Sequence, residues 1–182
     1  MSFFHKLNLR KEISPIRDEI ISQALKRRHL AQYNFELCSK YDDYLYSIFL
    51  KKCRSLFNFT LRNNDFRVWC MFNDKSYLKG DTWHNHLKSC TINGVLYIKT
   101  IKGCGLKYCE NIDEEIIENL NPEEYENGKN IQYIEPEDYD LLIFPDFISH
   151  RPVFPESKVG NDYRLSLNFE LRCFEKSIDI FI

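Results

Sequence analysis

No apolar run in this sequence approaches the ~20 residues that a membrane-spanning helix needs. Charge of one sign is also missing: 25 Lys and Arg stand against 27 Asp and Glu, a formal net charge of −2. A general nucleic-acid binder usually carries a clear basic excess, so that class is disfavoured. Residues 1–6 lead into no apolar core of the length a secretory signal requires. The seven cysteines, Cys38, Cys53, Cys70, Cys90, Cys104, Cys109 and Cys173, are odd in number. Cys104 and Cys109 are spaced too widely for a zinc knuckle and have no second pair. We therefore expect reduced thiols and a cytoplasmic setting, without a membrane partner.

What remains is an ordinary globular mixture, 43% hydrophobic and 29% charged over 182 residues, enough for one domain with a full core. Residues 1–60 read as helical support. Ser14 followed by Pro15 predicts a helix start, with Ile16, Ile20, Ile21 and Leu25 at helical spacing and an end near Leu37. A second helix is predicted from about Tyr41 to Phe57, with Tyr44, Leu45, Ile48, Phe49, Cys53 and Leu56 on one side.

From Asp65 onward the pattern changes to strands. Runs at 66–72, 91–101, 106–109, 131–134, 139–144, 163–173 and 178–182 are separated by Gly, Pro, Asn and Asp. They predict a β-sandwich or barrel of about eight strands over 61–182, with the helices packed on it. The acidic stretch 111–130 reads as an insertion across the barrel mouth, with a short helix around 113–120. Its acidic part, Glu110 to Glu126, is a candidate lid and equally well a solvated loop.

Three of the five histidines fall where a metal site would need them. In His84-Asn85-His86 the two imidazoles are two residues apart, and on a strand such residues share a face. His150 follows the apolar run 140–144 and the breaker Pro145, and supplies a third ligand from a distant strand. Such a facial set leaves open positions on the ion. His5 and His29 lack this context. Along 163–172 the residues alternate without error: Leu165, Leu167, Phe169 and Leu171 on one face, Arg164, Ser166, Asn168 and Glu170 on the other. The polar face either meets water at a sheet edge or turns into the barrel. In the second case a dicarboxylate explains it, with Arg164 pairing bidentately with a carboxylate and Ser166 adding a neutral hydrogen bond.

The order His-x-His, apolar strand, Phe-Pro-x-x-x-x-His and Arg-x-Ser resembles the iron(II) and 2-oxoglutarate-dependent oxygenase superfamily, closest to its prolyl-hydroxylase-like and phage-type branches. Trp69, Gly80-Asp81, His84-Asn85-His86 and Gly94-Val95-Leu96-Tyr97 follow in that family's order. The likeness covers about Phe66 to Cys173. It implies a double-stranded β-helix (a jelly-roll, cupin-like barrel) and a dioxygenase, a hydroxylase of unassigned substrate. It further implies iron held by His84 and His150, and 2-oxoglutarate anchored by Arg164 and Ser166 with Tyr97 as a hydrogen-bond partner. Trp69 reads as a packing residue.

The family's usual motif is His-x-Asp or His-x-Glu, and here the acidic position is His86. His86 as third ligand is our reading; the alternative is a carboxylate such as Asp81 or Asp146. Two rival functions stay open. A cupin-like three-histidine dioxygenase without 2-oxoglutarate uses the same histidines and leaves Arg164 and Ser166 unexplained. A non-catalytic metal-binding barrel is the other. The substrate, a small molecule or a peptide, and the oligomeric state are not written in the sequence.

Overall fold

A computed structural model of the chain describes residues 3–27, 34–35, 41–74, 82–87, 91–110, 122–154, 162–173 and 179–180. Within them the helices are α1 (Arg10–Ile13), α2 (Arg17–Arg27), α3 (Asp42–Arg54) and α4 (Pro122–Glu126). The first strands are β1 (His5–Asn8), β2 (Asn34–Phe35), β3 (Phe57–Asn58), β4 (Leu61–Asn73) and β5 (Thr91–Lys99). They are followed by β6 (Gly105–Cys109), β7 (Gln132–Ile134), β8 (Asp140–Pro145), β9 (Ser149–Val153), β10 (Arg164–Cys173) and β11 (Asp179–Ile180).

The larger sheet has the order β1-β8-β5-β10-β4-β2, and the smaller one β7-β6-β9. A bridge between His84 and His150 adds the 82–86 segment to the small sheet beside β9. From β4 onward the chain crosses repeatedly between the two: β4 in the large sheet, the His84 segment in the small, β5 in the large, β6 and β7 in the small. β8, β9 and β10 continue the alternation. Eight strands wound in this way form a double-stranded β-helix, the fold expected from the sequence. A short pair, β11 with β3, stands apart.

The alternation along β10 decides which face is which. The strand is central, flanked by β4 and β5, so the edge reading of its polar face is excluded. Leu165, Leu167, Phe169 and Leu171 join Ile20, Ala24, Leu45, Phe49 and Cys53 in the main core, where α2 and α3 cover the outside of the large sheet. Strand β8 is buried along its whole length: Leu141 and Ile143 face the helices, while Leu142 and Phe144 face the space between the sheets. A strand covered on both sides must read as a continuous apolar run, as 141–144 does. The inner cluster adds Phe4, Tyr97, Leu106, Tyr108 and Ile148.

Several expectations are corrected. Ser14 closes α1, donating its N–H to the Arg10 carbonyl, and Pro15 lies in the turn before α2 begins at Arg17. Leu9 and Ile13 already bury an apolar turn there, so the proline interrupts a helical path instead of opening one. The first long helix does not reach Leu37: Asn34 and Phe35 pair with Met71 and Cys70, whose backbone groups would otherwise be an open edge. The N-terminal part also supplies β1 on the opposite edge, against β8. The helix expected at 113–120 lies outside the described residues; α4 follows it, with Pro122 at its first position. Among the described cysteines, Cys53, Cys70, Cys104, Cys109 and Cys173 are buried thiols. Among the described residues no helix is long and apolar enough to cross a membrane.

Gly94 is a point of close approach. A Cβ there would lie 2.2 Å from Phe49 Cε2, and that ring is stacked on Phe169 at 4.6 Å. The ring has nowhere to swing, so Gly94→Ala is expected to cost about 1–3 kcal/mol by overpacking. Urea unfolding of Gly94→Ala, Phe49→Leu and the double variant checks it: the double should be more stable than the sum of the singles.

Candidate metal centre

Backbone pairing brings the histidines together. His84 donates its N–H to the His150 carbonyl at 3.1 Å, and His150 returns the bond at 2.9 Å. His86 is fixed one step further on, its N–H bonded to the Asp146 carbonyl at 2.8 Å. One ligand nitrogen from each of His84, His86 and His150 lies within 4.8 Å of the others, and among the described residues this is the single cluster able to hold a metal. Of the alternative carboxylates, Asp146 contributes a backbone oxygen to the site and its side chain is not part of the cluster. Asp81, with Gly80, lies outside the described residues, as does His29.

Tautomers follow from the partners. Nδ1 of His84 lies 3.2 Å from the Thr82 carbonyl, and Nδ1 of His150 lies 3.0 Å from that of Ile148. A carbonyl only accepts, so both Nδ1 atoms carry the proton and Nε2 keeps the lone pair a metal needs. The Phe144 ring, 4.7 Å from that of His150, closes one side of the site with apolar surface. Burial first, and then the neighbouring imidazoles, push His150 well below the ordinary histidine range. The same causes, with His84 as the neighbour, bring His86 down to about 4. Two imidazoles that resist protonation, His86 and His150, beside His84 with its Nε2 lone pair free of the carbonyl bond, are ready donors for a borderline divalent cation.

The lowered values have a consequence for the metal-free protein. Between pH 6.5 and about 4 the unfolded chain takes up a proton that folded His86 refuses, so stability is full above pH 6.5 and lost as pH falls through that window. The expected loss from His86 alone between pH 7 and pH 5 is about 2 kcal/mol. Chemical denaturation of the metal-free protein at the two pH values, native against His86→Gln, isolates it; parallel losses in both would refute it.

The polar face of β10 looks into the barrel toward a second feature. Arg164 and Ser166 are buried, and directly across the strands stand Asn73 on β4, opposite Arg164, and Tyr97 on β5, opposite Ser166. Opposed residues of an antiparallel pair share a face, so these four side chains converge. Among the described residues, Arg164 Nε and Nη1, Ser166 Oγ, the Tyr97 hydroxyl and both amide atoms of Asn73 are buried without a hydrogen-bond partner. What Arg164 does touch is aromatic: its guanidinium lies 4.4 Å from the Phe154 ring centre and 5.7 Å from that of Tyr97. Burial pushes the Tyr97 hydroxyl up, against the pull of Arg164, so it remains a donor. Buried polar groups are nearly always satisfied in native proteins; a cation and three neutral groups left unpaired together have the chemistry to hold a small anion.

Support comes from the outer side of the small sheet. Lys107 and Arg151 stand directly opposite each other on β6 and β9, an unfavourable pair that Glu126 of α4 resolves. Its carboxylate accepts from Lys107 at 2.6 Å, from Arg151 at 3.2 Å and from the indole of Trp83 at 3.2 Å. Burial alone would raise the Glu126 carboxyl; the Lys107 hydrogen bond and charge, Trp83 and Arg151 hold it below the usual range. Trp83, fully buried and packed on Tyr125, precedes His84, so the end of the acidic stretch is fastened beside the histidines. Sequence reasoning passed over Asn73, Trp83 and Glu126. Trp83 had a signal, a large aromatic next to the histidine pair; the other two are visible only once strand register is known. Trp69, half-buried, faces Asn168 across β4 and β10.

At the level of sequence, neither a protein-family model nor a curated protein matches the chain. Solved structures do match. HygX from Streptomyces hygroscopicus, with nickel and 2-oxoglutarate bound, superposes with a TM-score of 0.63 at 12% identity, over 96% of this chain and 83% of its own. A prolyl-4-hydroxylase of Pseudomonas putida gives 0.57 at 12% identity, over 93% and 92%. AviO1 from Streptomyces viridochromogenes Tue57 gives 0.58 at 10%, over 98% and 92%. This chain therefore has the jelly-roll fold of the 2-oxoglutarate and iron(II)-dependent oxygenase structures, with a three-histidine cluster inside it.

Proposed function

We propose that the protein is a non-haem iron(II) oxygenase that uses 2-oxoglutarate, a hydroxylase in its outcome. One observation carries the reading beyond the fold: an unpaired, buried Arg164 with Ser166, Tyr97 and Asn73 inside the same barrel that holds the three histidines. The donor set fits the ion and the orphaned groups fit a carboxylate. HygX binds 2-oxoglutarate with a metal, and the same chemistry suits this chain.

In this reading His84, His86 and His150 hold iron(II), which when bound supplies oxygen activation coupled to decarboxylation of 2-oxoglutarate to succinate. The chain's own part is positioning. Arg164 pairs with the far carboxylate, Ser166 and Tyr97 donate hydrogen bonds beside it, and the apolar walls of Phe144, Phe154 and Leu142 exclude water. The carbonyls of Thr82 and Ile148 keep His84 and His150 in the donor tautomer. The substrate is a small molecule or a peptide, which a net charge of −2 favours over nucleic acid. Five buried thiols fit a reducing compartment, and we place the protein in the cytoplasm.

The test is stoichiometric. Iron(II)-loaded protein is expected to turn over 2-oxoglutarate slowly even without its substrate, forming one succinate per oxygen consumed. Oxygen uptake that leaves 2-oxoglutarate untouched would point to the cupin-like dioxygenase, which needs the histidines and gives Arg164 no task.

A further inference from the structure

Glu170 stands on the inner face of β10, beyond Asn168 from the anion pocket, and its side chain is 12% exposed. One carboxylate oxygen, Oε1, lies 3.8 Å from His86 Nδ1; the other, Oε2, lies 3.7 Å from Arg67 Nη1 on the neighbouring strand β4. Arg67 is directly opposite Glu170 in register, and it is largely solvent-exposed, so it steers the carboxylate while water screens its charge. His84 and His150 each face a backbone carbonyl through Nδ1. At His86 a carboxylate stands on the Nδ1 side, at ion-pair distance and within a small side-chain adjustment of a hydrogen bond.

We propose that Glu170 is a positioning residue for His86: when a metal is bound it draws in as the acceptor for the Nδ1 N–H, turns the Nε2 lone pair toward the other two histidines, and returns to the site the negative charge that a histidine in place of a ligand carboxylate removes. The inference rests on the metal reading above. Three neutral imidazoles leave a divalent ion with its full charge of about +2. Glu170 brings the total to about +1, the same as two imidazoles and one coordinated carboxylate would give. A carboxylate behind a ligating imidazole also raises the basicity of the ring and fixes its orientation, and its loss typically costs about 10–100-fold in metal affinity. The carboxylate has moved one bond network outward, from the ion to the imidazole.

Cobalt(II) is the probe, titrated into metal-free native protein, Glu170→Ala, Glu170→Gln and His84→Ala, with far-UV circular dichroism to show that each is folded. Native protein is expected to bind cobalt and His84→Ala to bind far more weakly. Glu170→Ala is expected to lose about 10–100-fold in affinity. Glu170→Gln, which keeps an acceptor oxygen without the charge, is expected to recover part of that loss. The visible bands of bound cobalt should shift in Glu170→Ala and return toward native in Glu170→Gln, which a purely structural role does not explain. Cobalt binding by native protein with an unchanged affinity and spectrum in Glu170→Ala overturns the role of Glu170 alone. Failure of native protein to bind cobalt overturns the metal reading and this inference together.

Discussion

Replacing Arg164 by Met is expected to stabilise the ligand-free protein by about 1–4 kcal/mol while sharply weakening its binding of 2-oxoglutarate. The two effects share one cause. Arg164 is 4% exposed and, among the described residues, two of its nitrogens have no hydrogen-bond partner, so the ligand-free fold carries a desolvated cation set against the Phe154 and Tyr97 rings. Ring contacts of this kind contribute about 0.5–2 kcal/mol, less than the several kcal/mol that desolvating the ion costs. Methionine has a similar length, no charge, and an adaptable shape for the space between those rings. Truncating one partner of a buried charge pair costs the other partner about 2–5 kcal/mol, so 2-oxoglutarate affinity should fall by roughly 10²–10³-fold or more. Metal affinity should hold, because no histidine is touched. Denaturant unfolding without ligand, and calorimetric titration of 2-oxoglutarate with metal present, measure the two sides. A clear loss of stability in Arg164→Met would mean that the guanidinium supports the empty fold and is not waiting for an anion.

The second large effect belongs to His150. Its imidazole is 6% exposed, and its backbone carries both hydrogen bonds of the bridge to His84. His150→Ala deletes one of three donors and leaves those backbone bonds in place, so the loss should fall on metal binding rather than on the sheet. At about 3–4 kcal/mol per ligand, affinity should drop roughly 10²–10³-fold. The small cavity beside Phe144 costs the fold about 1–3 kcal/mol, while removal of an acid-sensitive buried imidazole flattens the pH dependence. Metal titration beside urea unfolding separates the outcomes; undiminished affinity would place the ion elsewhere.

Much of this was readable in the chain because it depends on short spacing. His84 and His86 share a face through the two-residue period of a strand, and the flawless alternation of 164–171 announced one buried apolar face and one polar face that needed a reason. β8 was legible as a continuous apolar run, and α3 from Leu45, Phe49 and Cys53, which recur every four residues and are all buried. The parts that escaped depend on partners far away in sequence. β1 is four residues of mixed character, and nothing but the open edge of β8 makes it a strand. β9 contains Pro152, which argues against a strand, yet it pairs with Leu106 in the small sheet. Asn73 reads as the polar end of a strand until register sets it opposite Arg164. Glu170 and Glu126 are carboxylates among 27 acidic residues, and only their neighbours across the barrel distinguish them. The helix start at Ser14 and Pro15 misled because capping residues mark a helix boundary without saying which side is helical; here Ser14 closes one short helix before the next begins.

The most direct test of the central claim is an anaerobic titration of 2-oxoglutarate into iron(II)-loaded protein, following the weak visible absorption of the chelate. Saturating absorption in native protein, sharply weakened in Arg164→Ala with iron still bound, is the predicted result, and it would join the histidine cluster and the arginine pocket into one site. Protein that demonstrably holds iron, yet develops no such absorption at any 2-oxoglutarate concentration, would contradict it.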